Sequence, residues 1–183
     1  MILVFLANGF EETEAIAPVD ILRRCGAKVA TVGVGGKTIR SSHGIPVGCD
    51  LEESELSSLN SQELEMVVLP GGLPGVDNLW TSPVVQEWVD RAAAEDRFVA
   101  AICAGPSILA RKGLLDGRRA TCYPGFEVGS GAVTYTGEGV VRDGRIITAK
   151  GAGMAIEFGL ALAAALFGEE TAHRVQKEIQ CQK

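Results

Sequence analysis

Cys103 is where the chemistry of this chain is expected to run. In Phe98-Val99-Ala100-Ala101-Ile102-Cys103-Ala104-Gly105-Pro106-Ser107, an apolar run reads as a buried strand that ends at a cysteine where a helix begins. Ala101, Ala104 and Gly105 are small enough for a sharp turn, as in a nucleophile elbow with Cys where hydrolases often carry Ser. A thiol at a helix N-terminus is expected to ionise more readily, because the dipole and unpaired N–H groups favour the thiolate. Pro106 suits the first helical turn, where a missing N–H costs nothing. The competing reading is a structural cysteine buried at a strand end.

Two further segments could serve such a thiol. Gly71-Gly72 follow another apolar run, and without side chains their N–H groups can approach a substrate oxyanion. Alone, the pair also reads as an ordinary Gly-rich loop. Glu11-Glu12-Thr13-Glu14 suits a solvated helix start, and Glu11 needs no other account. One carboxylate of the run turned inward beside Cys103 would hold its proton more tightly and could move protons.

The elements that must position these residues alternate strand and helix. Met1–Ala7, Lys28–Val34, Glu65–Leu69 and Phe98–Ile102 read as core strands. Helices are expected over Glu11–Cys25, Ser82–Glu95, Ala104–Arg111, Met154–Phe167 and Glu169–Ile179. Pro18 is expected to kink the first of these. Thr38–Cys49 around His43-Gly44 and Val140–Thr148 around Asp143-Gly144 read as hairpins, and Pro70–Gly75 as irregular. This order predicts a doubly wound, mostly parallel sheet in a three-layer α/β fold, with one domain over 1–183 and its last few residues lacking fixed structure. Ligands of such sheets bind outside the carboxyl ends of the strands, where all three segments lie.

Composition narrows the function classes. A formal charge of −6 with scattered basic residues, adjacent arginines only at Arg23-Arg24 and Arg118-Arg119, argues against a nucleic-acid partner. The longest apolar run, Phe158–Gly168, is far short of the ~20 residues of a membrane span. Met1–Leu6 lacks the basic start and length of a signal peptide, so a cytoplasmic protein is expected. Five cysteines without a CxxC pair fit neither a disulfide framework nor a zinc site, and Gly33–Gly36 lacks the spacing of a nucleotide loop. No metal or cofactor is expected.

Asn8-Gly9-Phe10-Glu11-Glu12-Thr13-Glu14 with Pro18-Val19-Asp20, then Val67-Val68-Leu69-Pro70-Gly71-Gly72, then Ala101-Ile102-Cys103-Ala104-Gly105-Pro106 together resemble the ThiJ/PfpI superfamily. Order, spacing and the late hairpin are similar to the branch containing the human Parkinson disease deglycase. The resemblance covers nearly the whole chain. It implies a flavodoxin-like fold, a homodimer and a reactive cysteine bonded by a protonated glutamate, which aligns with Glu14. The N–H groups of Gly72 and Ala104 correspond to the oxyanion site. The implied activity is a cofactor-free glyoxalase or deglycase taking a small reactive carbonyl such as methylglyoxal or its early adducts. A redox sensor or holdase using the same thiol is the implied alternative.

Two departures modify that expectation. Ala104 stands where protease-like members carry a histidine after the cysteine, which disfavours a Cys-dependent peptidase or amidase. Tyr123 stands where the nearer branch carries a loop histidine, so it is expected to orient substrate and leave proton transfer to Glu14. Cys49 aligns near the implied dimer interface, and Cys122 is a candidate resolving thiol. Cys25, Cys181, His43 and His173 are read as structural or surface residues.

Overall fold

The computed structural model describes residues 1–181, so the expectation for the chain's end falls in part outside the described residues. In chain order the elements are β1 (Ile2–Ala7), α1 (Glu12–Arg24), β2 (Val29–Val34), β3 (Thr38–Arg40), β4 (Pro46–Gly48), β5 (Leu51–Glu52), β6 (Met66–Leu69), α2 (Gly75–Thr81) and α3 (Pro83–Ala94). They continue as β7 (Phe98–Ile102), α4 (Pro106–Arg111), β8 (Arg119–Ala120), β9 (Thr134–Tyr135), β10 (Val140–Asp143), β11 (Ile146–Ala149), α5 (Ala155–Phe167) and α6 (Glu169–Glu178).

The main sheet runs β10-β11-β7-β6-β1-β2-β5. Every pairing in it is parallel except β10 with β11, which closes one edge as an antiparallel hairpin. The central order β2-β1-β6-β7-β11 is the flavodoxin-like order, and the winding reverses between β1 and β6.

Strand parity decides which layer each side chain enters, because successive residues point to opposite sheet faces. Leu3, Phe5 and Ala7 of β1, with Val99 and Ala101 of β7, pack under α2, α3 and α4. Ile2, Val4 and Leu6, with Phe98, Ala100 and Ile102, pack under α1, α5 and α6. Both faces of the sheet are therefore dry, which is why these strands read as unbroken apolar runs. Cys103, one residue past β7, touches both layers.

The structure corrects several local expectations. Pro18 lies inside an unbroken α1 rather than dividing it. Its missing N–H leaves only the Glu14 carbonyl without its usual helical donor, and its flat ring face lies where α1 meets α5 at Gly159. The Gly/Pro-rich run after β6 stays irregular only to Pro74, because a helix starts at Gly75. The helix after Cys103 starts at Pro106, two residues later than expected, with Gly105 as its cap. The short strands β5, β8 and β9 carry too few residues for a period to show in sequence.

Gly159 sets the distance between α1 and α5. A Cβ there would stand 2.7 Å from Ile21 Cδ1 and 3.0 Å from Pro18 Cα, and the proline backbone cannot yield as a side chain can. Gly159→Val is expected to destabilise the fold by about 1–3 kcal/mol, the usual cost of overpacking. Urea unfolding of the variant checks this, and an unchanged midpoint would mean that the two helices separate freely.

Candidate functional site

Three strand ends meet at the point where the sheet reverses its winding. After β1 the chain turns at Asn8-Gly9 and buries Phe10, and Glu11 N–H donates to Gly71 C=O at 2.9 Å. Glu11 then caps α1, its carboxylate accepting from Glu14 N–H at 2.7 Å. That cap fixes the first turn so that Glu14 points inward, only 1% exposed. After β6, Gly71 N–H donates to Glu14 Oε2 at 2.8 Å. Gly72 adopts φ +89°, and a Cβ there would lie 2.4 Å from Glu11 N, so this crossing tolerates no side chain.

Cys103 closes the third side. Its N–H donates to Ala149 C=O and its own C=O accepts from Tyr123 N–H, both at 2.9 Å. These bonds hold the residue at φ +64°, a left-handed conformation that a non-glycine residue adopts at a cost of about 1–3 kcal/mol. The turn aims the thiol at Glu14, with which it shares a hydrogen bond, and at the N–H groups of Gly72 and Ala104, which donate to the sulfur. A Cβ on Gly71 would stand 2.5 Å from Glu14 Oε2 and 2.6 Å from Cys103 Cβ, so glycine is required for thiol and carboxyl to meet.

Burial dominates the electrostatics. It pushes the Glu14 carboxyl up to about 7, against the hydrogen bonds from Cys103, Gly71 and Ala152. It also pushes the Cys103 thiol up to about 12, helped by the Glu14 charge and opposed by the Ala104 and Gly72 N–H groups. This corrects the expectation of a simply acidic thiol. The helix at Pro106 is short and begins three residues on, so desolvation and a neighbouring carboxylate outweigh it. Between these two values the pair holds one proton, a property of the pair rather than of either residue. When that proton sits on Glu14, like-charge repulsion vanishes and the two N–H groups face a thiolate.

Of the expected site residues, Cys103, Glu14, Gly72 and Ala104 come together. Tyr123 joins them through its backbone, while its side chain is 51% exposed. Among the described residues no hydrogen bond links its hydroxyl to Cys103 or Glu14; the ring instead packs edge-on to Phe126 and over Gly151. Two contributors escaped the sequence reading: the Gly71 N–H and the Ala152 N–H, both on Glu14. The triplet Gly151-Ala152-Gly153, directly after a strand, is the signal that pointed to the second. Cys122 and Cys49 are buried, their thiols pushed up to about 12 and about 11 by desolvation. His43 is exposed and meets the Glu12 carboxylate at 2.9 Å, and His173 lies on the outer face of α6.

The sequence profile of the DJ-1/PfpI family matches residues 1–165. A Danio rerio protein named Parkinson disease protein 7 homolog is 37% identical over 183 residues, covering 95% of this chain and 93% of that protein. A Caenorhabditis elegans protein named as a glutathione-independent glyoxalase is 30% identical over 171 residues, covering 92% and 89%. A crystal structure of a DJ-1 superfamily protein from Salmonella typhimurium, in a cysteine-to-alanine form, superposes with a TM-score of 0.91 at 35% identity, covering 100% of this chain and 98% of that one.

The shared proton sets a pH dependence. Below about 7 both groups are protonated; above it the pair has lost one proton and the sulfur can react. The rate of Cys103 alkylation is expected to rise with pH through about 7, an inflection that Glu14→Gln removes because glutamine cannot take the proton. Stopped-flow alkylation with mass mapping checks this, and an identical profile in the variant would place the proton elsewhere.

Proposed function

The chain belongs to the DJ-1/PfpI family, and from that premise we propose that it is a cysteine-dependent, glutathione-independent glyoxalase that also acts on early adducts of 2-oxoaldehydes. The observation that supports this reading best is the buried Cys103 sulfur, hydrogen-bonded to Glu14 and faced by the N–H groups of Gly72 and Ala104.

The reaction needs four events. Glu14 takes the thiol proton as sulfur adds to the aldehyde carbon, and the resulting oxyanion lies against the Gly72 and Ala104 donors. The protonated Glu14 gives its proton to that oxygen, forming a hemithioacetal. Glu14, again a carboxylate, then removes the proton on the former aldehyde carbon and returns it to the adjacent carbonyl carbon, leaving a thioester. Water cleaves the thioester and releases a 2-hydroxy acid with the thiol restored. Atoms balance with one added water: the aldehyde carbon is oxidised and its neighbour reduced.

A proton carrier that works in both directions must change charge near the working pH. Burial gives Glu14 that property, with its carboxyl at about 7. Tyr123 cannot share the task, since a phenol with an ordinary pKa of about 10 stays protonated at neutral pH. Its exposed ring beside Gly151 suits it to orienting substrate at the mouth of the site.

We also propose a homodimer that packs through α1 and the β3–β4 hairpin. Ile16 and Ile45, on these two elements, are 41% and 50% exposed and would be covered there. Sedimentation is expected to give a dimer at micromolar concentration, and a monomer there would contradict it.

Supplying methylglyoxal without glutathione and following lactate tests the activity. Cys103→Ala is expected to abolish turnover, and Glu14→Gln to lower it about 10²-fold or more, as for loss of a general acid–base. Tyr123→Phe is expected to cost at most about 10-fold, the worth of one modest hydrogen bond. Stoichiometric consumption of aldehyde without lactate would leave a scavenger or sensor instead, and a larger loss in Tyr123→Phe than in Glu14→Gln would exchange their roles.

A further inference from the structure

We infer that Lys150 forms an anion subsite beside Cys103, so that the preferred substrate is a 2-oxoaldehyde bearing a negatively charged group at its far end. The inference rests on the glyoxalase reading above and names its substrate class.

Lys150 lies close to the nucleophile by register. In the parallel β11–β7 ladder Ala149 pairs with Ile102, and Cys103 N–H donates to Ala149 C=O. Lys150 therefore stands beside Cys103 at the same edge of the sheet. From there its side chain lines an open cavity of about 650 Å³ walled by Tyr123, Pro124, Gly137, Gly139, the Gly151–Gly153 segment and Met154. Two of those walls belong to the reactive site itself. Tyr123 bonds the Cys103 backbone, and Ala152 bonds Glu14. The cavity far exceeds the bulk of three-carbon methylglyoxal.

The charge of the cavity is the unusual part. The chain carries 23 acidic and 17 basic residues, so a surface cleft drawn at random is expected to be acidic. Among the cavity's lining residues none is acidic, and Lys150 is the one charged side chain. Eleven other Lys or Arg side chains form ion pairs, and Lys150 does not. Its ammonium has only a long 3.3 Å bond to Gly137 C=O. Glu138 sits between two lining glycines and is the nearest carboxylate in sequence, yet it is turned to Arg119 at 2.5 Å. An ammonium so placed is a point charge with donors to spare, suited to a carboxylate or phosphate. The apolar walls of Tyr123, Pro124 and Met154 would hold the carbon chain between that anion and the reacting carbonyls.

The test uses 4,5-dioxopentanoate, a methylglyoxal whose methyl is replaced by a chain ending in carboxylate, and its methyl ester as a neutral control of similar size. Water converts the acid to 2-hydroxyglutarate, with the aldehyde carbon oxidised and the ketone carbon reduced. Wild-type protein is expected to prefer the acid, and Lys150→Met to lower kcat/KM for the acid by about tenfold or more relative to the ester. Lys150→Arg is expected to keep the preference. Equal losses on acid and ester, or an unchanged ratio, would overturn the subsite, as would wild-type turnover of methylglyoxal with neither longer compound accepted. Calorimetric binding of 2-hydroxyglutarate reads the subsite in a protein that turns nothing over. Binding lost in Lys150→Met but kept in Lys150→Arg supports the subsite even if methylglyoxal gives no lactate. Equal affinity in wild type and Lys150→Met overturns it even if lactate forms.

Discussion

The proton shared by Glu14 and Cys103 is the interaction on which the rest of the site depends. A carboxylate in water would be fully ionised at neutral pH and useless as an acid. Sealed at 1% exposure, Glu14 is pushed up to about 7 instead. The fold bears a cost for this. A carboxyl that is harder to ionise folded than unfolded favours the folded state less as pH rises. The loss starts near the ordinary carboxylate value of 4.5 and is complete above about 7, amounting to about 3 kcal/mol for a shift of that size. The left-handed Cys103 adds a further cost in the same place.

Those costs fall on the best-supported part of the molecule. Cys103 follows a strand buried on both faces and touches both apolar layers, so relaxing its turn would disturb two cores. Glu14 sits on a helix fixed by a side-chain cap at one end and by close contact with α5 along its length. Gly71 and Gly72 are threaded between these elements, and a Cβ on either would strike backbone or reacting atoms within 2.6 Å. The topology supplies the meeting point. Where the winding reverses between β1 and β6, the chain leaves the sheet in opposite directions and opens room for three segments to converge.

Much of this was readable before any coordinates, and the reason differs by element. Core strands announce themselves because both faces are dry, so Met1–Ala7 and Phe98–Ile102 carry no alternation to misread. The elbow was legible because small residues flank one cysteine between a strand and a proline. The hairpins were legible through their turn residues, and both formed as antiparallel pairs. The inward turn of Glu14 was a different matter. Four residues of similar polarity start the helix, and only the Glu11 cap and the Gly71 N–H select which carboxylate goes in. The resemblance supplied that assignment, which residue types alone left open. The thiol's electrostatics were misjudged because the sequence displays a helix start but not the desolvation around it.

Desolvation also explains how a site without a histidine beside its nucleophile can move protons near neutrality. A histidine titrates there wherever it is placed, exposed or buried, so a chain that uses one can leave its surroundings loose. A glutamate reaches that range only while water stays out. The seal over Glu14 is made by backbone: Gly71 N–H on one side, Ala152 N–H on another, and the glycine crossing at Gly72. Each of these is a position where a side chain would either collide or admit a gap. Tightness around the carboxyl and openness toward the substrate must therefore be divided between different walls. The strand ends supply the tight wall, and the half-exposed Tyr123 with the Gly151–Gly153 segment supplies the open one. Replacing histidine by Tyr123 is tolerable in this arrangement because proton transfer was already assigned to the sealed side, leaving the open side to choose what enters.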